Sequence, residues 1–301
     1  MATFLNYYKG KINMVIGITE LNIAWEDKEA NKKKVIEAIE IFVAKCREMR
    51  VGQNALLLFP EMTLTGFSMN TDMTTETNRE TVDFTRGLAD KYDISIGIGW
   101  TKSVDTEDLC ENHYSIVTPK EEALDYAKIH PFTYSGEDKF YRGGDHLSVC
   151  KIGDFNVGSV VCYDLRFPEL FRKISDLSEL IVVPANWPEA RVYHWSTLLA
   201  ARAIENQCYI AGINCVGDIG GVYYSGASAM YDPSGKLIES EKHMLKDGIS
   251  SVLVYDLKND VADVRKAFPV QQDKDLDKIM KMSIQTTLKM QKPKKITMDV
   301  E

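Results

Sequence analysis

The chain has 301 residues and a mass of 34.0 kDa, which allows one large domain or two smaller ones. Its hydrophobic content of 45% is enough for a substantial core and excludes a disordered chain. The net charge of -8 argues against nucleic acid or an anionic membrane surface as the main partner. No apolar run approaches the roughly 18 residues of a membrane span, and the N-terminus lacks a secretory h-region. With 6 dispersed cysteines and no CxxC pair, the sequence predicts a cytoplasmic protein.

Strands and helices alternate in the early part of the chain. The predicted strands are 14–19, 54–59 and 94–100, and the predicted helices are 27–50 and about 76–92. The strand at 54–59 is wholly apolar, as expected for a central strand, and the helix at 27–50 has apolar residues at helical spacing. Residues 1–13 have no periodic pattern, and we interpret them as an N-terminal extension.

The later part of the chain adds hairpins to this alternation. The predicted strands are 113–117, 123–129, 147–152, 155–162, 180–184, 208–213, 227–232, 236–241 and 251–256, and the predicted helices are 168–175 and 192–206. Residues 153–154 and 233–235 are expected to form hairpin turns, and 130–145 a functional loop. The pattern predicts one α/β domain over 14–268 with partly antiparallel sheets. Residues 269–301 are interpreted as a C-terminal extension that contacts a partner subunit or is disordered.

Three reactive side chains, Glu61, Lys128 and Cys162, come at the ends of apolar strand patterns. Side chains at strand ends reach the rim of a sheet, where α/β proteins commonly bind ligands. A nucleophilic thiol needs a base to take its proton, and an oxyanion needs a donor such as an ammonium group. The three residues therefore form a complete set for acyl transfer. The alternative is that Cys162 is one more buried cysteine of the core.

Three motifs carry a resemblance to a known family. LLFPEMTLTGF at 57–67, YAKIHPF at 126–132 and VCYDLRFPE at 161–169 resemble the signature regions of the nitrilase superfamily of carbon–nitrogen hydrolases, in the family's order. Two later stretches, PANWP at 184–188 and ARAIENQCY at 201–209, look like its omega-amidase branch. That branch hydrolyses the terminal amide of 2-oxo dicarboxylic acid monoamides such as 2-oxoglutaramate and 2-oxosuccinamate.

The resemblance implies a role for each matching residue. Cys162 would be the nucleophile, Glu61 the general base and Lys128 the cation that stabilises the oxyanion. Glu137 matches the surroundings of a second family glutamate and would orient Lys128 or the attacking water. The backbone N–H of Tyr163 would be a further oxyanion donor. The resemblance also implies a four-layer α-β-β-α sandwich and a homodimer.

Five residues flank the expected pocket: Arg166, Asn186, Trp187, Arg191 and His194. An arginine fork grips a carboxylate with two hydrogen bonds, so Arg166 or Arg191 is a candidate for binding a substrate acid. The alternative for each arginine is a structural or interface ion pair. Trp187 is a candidate pocket wall, although a large aromatic side chain in a loop can also simply cover the core.

No cofactor or metal is expected. The HExxH motif is absent, the 5 histidines give no ligand spacing, and neither a GxSxG elbow nor a phosphate-binding loop occurs. The remaining cysteines are expected to pack as small hydrophobic residues: Cys46, Cys110, Cys150, Cys208 and Cys215. The predicted function is hydrolysis of a small amide through a thioester. The alternatives are an aliphatic amidase, an N-carbamoyl hydrolase, a nitrilase, or a non-catalytic binding protein of the same fold.

Overall fold

The computed structural model describes residues 13–51, 54–104, 109–275, 278–279 and 281–282. The chain divides into two compact units, Met1–Gln271 and Gln272–Glu301. Every strand and α-helix given below lies in the first unit. The predicted N-terminal extension, except for its last residue, and most of the predicted C-terminal extension lie outside the described residues.

The elements of the first unit follow the predicted alternation closely. The strands are β1 (Met14–Glu20), β2 (Ala55–Leu58), β3 (Ser95–Lys102), β4 (Cys110–Val117), β5 (Glu122–Ala127), β6 (Tyr141–Arg142), β7 (Val149–Ile152), β8 (Phe155–Ser159), β9 (Leu180–Ala185), β10 (Tyr209–Asn214), β11 (Val216–Ile219), β12 (Val222–Ser225), β13 (Ala229–Tyr231), β14 (Glu241–Met244) and β15 (Ser251–Leu257). The α-helices are α1 (Lys28–Glu48), α2 (Thr71–Thr74), α3 (Glu80–Tyr92), α4 (Pro168–Ile174), α5 (Val192–Asn206) and α6 (Val261–Ala267).

Two sheets form the centre of the fold. The larger sheet has the order β14-β15-β1-β2-β3-β4-β5, with β6 beside β4, and the smaller has the order β13-β10-β9-β8-β7. Each has a parallel centre, β1-β2-β3 in one and β8-β9-β10 in the other, flanked by antiparallel strands. Strands β11 and β12 form a separate hairpin. Parallel strands need both faces buried, whereas antiparallel strands tolerate solvent on one face. The parallel strands therefore lie at the centre of each sheet and the antiparallel strands at its edges.

Successive residues of the central strands point to opposite faces of the larger sheet and so belong to two different apolar cores. Ile16 and Leu58 belong to the apolar cluster between the sheets, whereas Val15 and Leu57 pack in a second cluster with α1 and α3. On the smaller sheet, Leu199 of α5 belongs to the same cluster as the strand residues. Helices thus cover the outer face of each sheet, and the predicted four-layer α-β-β-α sandwich is confirmed. No helix among the described residues is long and apolar enough to cross a membrane.

Several elements differ from the sequence prediction, and three of these differences have a clear physical reason. Strand β8 ends at Ser159 instead of running on to Cys162, because Cys162 begins a short 3-10 helix. The predicted helix at about 76–92 begins only at Glu80, since Glu76 lies outside it and accepts the Thr81 N–H at 2.8 Å. The predicted strand at 236–241 is not continuous. Leu237 forms an isolated bridge, after a turn in which the Asp232 carboxylate accepts backbone N–H groups, and strand β14 begins only at Glu241.

Candidate active site

The structure brings three of the predicted residues into direct contact. Lys128 Nζ lies 2.9 Å from Glu61 Oε1 and 2.8 Å from Glu137 Oε2. The side chains of Glu61 and Glu137 are 0% exposed and that of Lys128 is 1% exposed. Asn112 also contacts both glutamates, with its Nδ2 at 2.8 Å from Glu61 Oε1 and 3.2 Å from Glu137 Oε1. These four residues, Glu61, Lys128, Glu137 and Asn112, are called the acid–base cluster below.

A close crossing of two backbones fixes Glu61. The segment around Glu61 runs directly over Gly99 of β3, where an added Cβ would lie 2.4 Å from the Met62 nitrogen. Thr63 holds the crossing from both sides, because its N–H donates to the Gly99 carbonyl at 3.0 Å and its Oγ1 accepts the Gly99 N–H at 3.1 Å. Because no side chain fits at Gly99, the backbone around Glu61 packs directly against β3, and β3 therefore fixes the position of Glu61.

Asn112 was missed by the sequence interpretation. It lies on β4 and shares its face with Tyr114 and Ile116, which pack between the sheets. Its carbonyl accepts the Lys128 N–H at 2.8 Å, so the strand pairing itself places the amide beside the lysine. A polar residue on the inward, apolar face of a strand was the signal that could have found it.

Burial and charge together set the protonation of the cluster. Burial lowers the pKa of Lys128, but the charges of Glu137 and Glu61 outweigh this and hold its pKa well above the usual value. Burial raises the pKa of Glu137, although Lys128 opposes the shift. Burial also raises the pKa of the Cys162 thiol well above its usual value, and Glu61 raises it further. The thiol is therefore neutral at neutral pH.

Cys162 lies in a strained turn that a buried carboxylate anchors. Its φ of 50° is in the left-handed region, and it begins the 3-10 helix Cys162–Arg166. The side chain of Asp164 is fully buried and accepts the Val161 N–H at 3.1 Å, the His130 N–H at 2.9 Å and the Tyr126 hydroxyl at 2.8 Å. One carboxylate thus ties the cysteine turn to the segment that follows Lys128.

Asn186 joins Glu61 to the thiol. Its N–H donates to Glu61 Oε2 at 3.0 Å, its Nδ2 donates to the Glu61 carbonyl at 2.7 Å, and its backbone also contacts the Cys162 sulfur. Cys215 packs in the core, as predicted, and its Sγ also lies 3.2 Å from Asn186 Oδ1. The buried thiol thus contacts the amide of Asn186 as well.

A cavity of about 190 Å³ opens above Cys162. Its walls are mostly aromatic and contain all of the predicted substrate-binding residues. The lining residues are Phe67, Phe132, Tyr134, Ser135, Cys162, Tyr163, Arg166, Asn186, Trp187, Pro188, Arg191, Val222 and Tyr224. Trp187 combines both suggested roles, because it is only 3% exposed and yet lines the cavity. The contribution of β12, through Val222 and Tyr224, was not foreseen.

Two cations of the cavity wall, Arg166 and Arg191, are called the arginine pair below. The Arg166 guanidinium lies 4.8 Å from the ring centre of Trp187, and that of Arg191 lies 5.5 Å from the ring centre of Phe132. Neither forms an ion pair with a carboxylate in the part of the chain that the structure describes. Burial lowers the pKa of Arg166, and the nearby charge of Arg191 adds to this. The structural ion-pair alternative therefore finds no support among the described residues, whereas the interface ion pair concerns a partner chain and stays a prediction.

His194 lies outside the cavity lining, although it was expected to flank the pocket. It is exposed, and its Nδ1 lies 3.4 Å from a nitrogen of Arg166.

The described residues contain no group of three or more His, Cys, Asp or Glu side chains that could hold a metal ion. The site as described is thus a buried acid–base cluster, a thiol and an aromatic cavity with two cations.

Comparison with known proteins identifies the class. The carbon-nitrogen hydrolase family model matches residues 15–266, and the chain therefore belongs to the carbon–nitrogen hydrolase family. A solved structure of a superfamily member from Xanthomonas campestris, with an arsenic adduct in its active site, superposes with a TM-score of 0.77 at 28% identity. It covers 87% of this chain and 97% of that protein.

Two curated relatives narrow the assignment within the family. The omega-amidase YafV of Yersinia enterocolitica is 36% identical over 71% of this chain and 80% of its own length. The 2-oxoglutaramate amidase of Bacillus subtilis is 30% identical over 86% of this chain and 96% of its own length. The protein is thus an amidase of the omega-amidase-like branch of the nitrilase superfamily, which confirms the family predicted from the motifs.

Proposed function

We propose that the protein hydrolyses the terminal amide of a small 2-oxo dicarboxylic acid monoamide, 2-oxoglutaramate or 2-oxosuccinamate. The observation that carries the proposal is the arginine pair in the wall of the Cys162 cavity, without a carboxylate partner among the described residues. Two half-buried guanidinium groups favour an anionic ligand, and a carboxylate accepts two hydrogen bonds from such a fork. The names of the relatives support the same substrate class.

In the proposed acylation step, Glu61 takes the thiol proton as the Cys162 sulfur attacks the amide carbon. Lys128 has three N–H groups, and a single shared one can serve both oxygens of Glu137. One N–H then remains for the oxyanion, beside the N–H of Tyr163 in the first turn of its 3-10 helix. Glu61 returns its proton to the nitrogen, the carbon–nitrogen bond breaks, and ammonia leaves a thioester on Cys162.

In the proposed second step, Glu61 takes a proton from water as the water attacks the thioester. The carbon–sulfur bond breaks, the thiol regains a proton and the free acid leaves. A base that acts as an acid in one step and as a base in the next is usual for such a double displacement. Glu137 holds Lys128 in place throughout, since its two oxygens accept from the ammonium group at 3.0 and 2.8 Å.

A substrate panel tests the proposed substrate. Ammonia release should be fastest from 2-oxoglutaramate, slower from glutaramate, and slowest from an N-carbamoyl amino acid and a nitrile. An equal rate on the 2-oxo acid amide and on glutaramate would contradict the omega-amidase proposal. It would favour the alternative of a general aliphatic amidase, and a preference for the last two compounds would favour an N-carbamoyl hydrolase or a nitrilase.

Trapping of the acyl enzyme tests the proposed mechanism. Mass spectrometry after a single turnover should find the acyl group on Cys162 and on no other cysteine. The Cys162→Ala variant should release no ammonia and keep the unfolding temperature of the wild type within a few degrees, so that loss of activity is separated from loss of fold. An adduct on Cys215, the other thiol that contacts Asn186, would overturn the assignment.

A further inference from the structure

Asn112 closes a ring of contacts around the two glutamates. Its Nδ2 lies 2.8 Å from Glu61 Oε1 and 3.2 Å from Glu137 Oε1, and Lys128 Nζ lies 2.9 and 3.0 Å from the same two oxygens. Each of these two oxygens, Glu61 Oε1 and Glu137 Oε1, is therefore held by one charged and one neutral donor. Asn112 is 1% exposed, so water does not share this task from the surface.

The orientation of the amide is set by the carboxylates. The Asn112 Oδ1 atom is buried and has no hydrogen-bond partner among the described residues. The opposite orientation would place this oxygen against two carboxylate oxygens, which repel it. A buried acceptor without a partner is unfavourable, and the contacts to the two glutamates compensate for it. An asparagine with a purely structural role would have both ends of its amide satisfied.

The two carboxylate oxygens of Glu61 have different hydrogen-bond donors. Oε1 accepts from Lys128 and from Asn112, which uses the two acceptor sites of that oxygen. Among the residues that the structure describes, Oε2 accepts only the Asn186 N–H, and the same backbone contacts the Cys162 sulfur. The oxygen with a remaining acceptor site is thus the one on the side of the thiol.

We propose that Asn112 is a positioning residue for the proposed amide hydrolysis. By occupying Oε1 of Glu61, it directs Oε2 towards the thiol proton, and it separates Glu61 from Glu137 without adding a charge. A second cation in its place would hold Glu61 ionised and weaken it as a base. This role rests on the proposed function, because it concerns the same proton transfer.

The test is a comparison of Asn112→Leu with wild type over a pH range. The two side chains branch at the same atom, but leucine cannot donate to the glutamates. We expect kcat to fall at least about 10-fold, a part of the 100-fold to 10,000-fold that a positioned base supplies. KM should change by less than about threefold. The acid limb of kcat/KM should move to higher pH, because loss of a donor disfavours the ionised carboxylate. Asn112→Ala gives the same readout if Asn112→Leu does not fold.

Ser115→Ala is the matched control. Ser115 is buried on the same strand but on the opposite face, where its Oγ accepts the Trp100 Nε1–H at 2.9 Å. This variant should lower the unfolding temperature and leave the pH profile unchanged. If Asn112→Leu behaves in the same way as Ser115→Ala, the positioning role is wrong.

Failure of the proposed function would be recognised separately. If the wild type hydrolyses none of the amides, the rate at which iodoacetamide alkylates Cys162 replaces the activity assay, since it needs no substrate. Mass spectrometry measures the alkylation rate at each pH. The midpoint of the pH–rate curve should move to higher pH in Asn112→Leu and remain in place in Ser115→Ala. An unchanged midpoint in both variants would overturn the proposal.

Discussion

The arginine pair lines the cavity and the acid–base cluster does not, and the two groups are built in opposite ways. In the cluster, the charges of Glu61, Glu137 and Lys128 are matched by contacts of 2.8 to 3.0 Å, and all three are buried. Arg166 and Arg191 are only half-buried and contact aromatic rings instead of carboxylates. Under the proposed function, this difference means that the acid–base cluster is organised before the substrate binds. The arginine pair gains its carboxylate partner only when the substrate binds.

The largest effect is expected from Lys128→Met. It leaves two buried carboxylates without their cation, and removal of one partner from a buried ion pair costs roughly 3–5 kcal/mol of unfolding free energy. Amide hydrolysis should fall below detection. Arg166→Met, which breaks no ion pair among the described residues, should change the unfolding free energy by no more than about 0.5 kcal/mol. Urea denaturation of both variants measures the contrast, and an equal loss in both would refute it.

A smaller effect is expected from Arg191→Gln and Arg166→Gln. Loss of a charged hydrogen bond to a substrate costs about 1.5–3 kcal/mol, which is roughly a 10-fold to 100-fold loss in kcat/KM on 2-oxoglutaramate. The loss should appear mainly in KM, because the arginine pair does not touch the acid–base cluster. Steady-state kinetics on a neutral amide such as propionamide supplies the control. A similar loss on the neutral amide would mean that the arginines shape the cavity and do not bind a carboxylate.

The smallest effect is expected from pH acting on His113, which lies on β4 beside Asn112 but on the other face. Burial lowers its pKa, but Asp125 at 2.7 Å and Glu111 at 3.0 Å outweigh this and raise it above 6.5. A histidine whose pKa is higher in the folded than in the unfolded protein stabilises the fold. The stabilisation is fully present at pH values below the unfolded-state pKa and is lost as pH rises through the folded-state pKa. The unfolding temperature should therefore decline as pH rises from about 6.5.

The His113→Gln variant should flatten this decline and leave the acid limb of kcat/KM in place. The titratable and charged groups around His113 also include Arg79, Lys102 and Arg142, which contact its two carboxylate partners. Thermal unfolding and activity measured over the same pH range separate the two faces of β4. A shift of the activity profile in His113→Gln would mean that the two faces are coupled.

Much of the fold and the residues of the proposed mechanism could be identified from local sequence. Glu61, Lys128 and Cys162 were found because each follows an apolar strand, and strand periodicity is a local property. Asn112 was missed because its role depends on pairing between strands. His113 pairs with Ala127, which brings Asn112 next to Lys128, and no local pattern specifies that register. Cavity residues of β12 were missed for a similar reason, since that hairpin belongs to neither main sheet.

The contacts of Asp164 make the Cys162 turn and the segment after Lys128 one mechanical unit. Its carboxylate receives donors from the cysteine turn and from the segment after Lys128, two segments far apart in the chain. An exchange of either segment alone for that of a distant relative would therefore misplace the other. Redesign of this site for a new amide can alter the cavity wall freely, but the segments around Lys128 and Cys162 must be transplanted together.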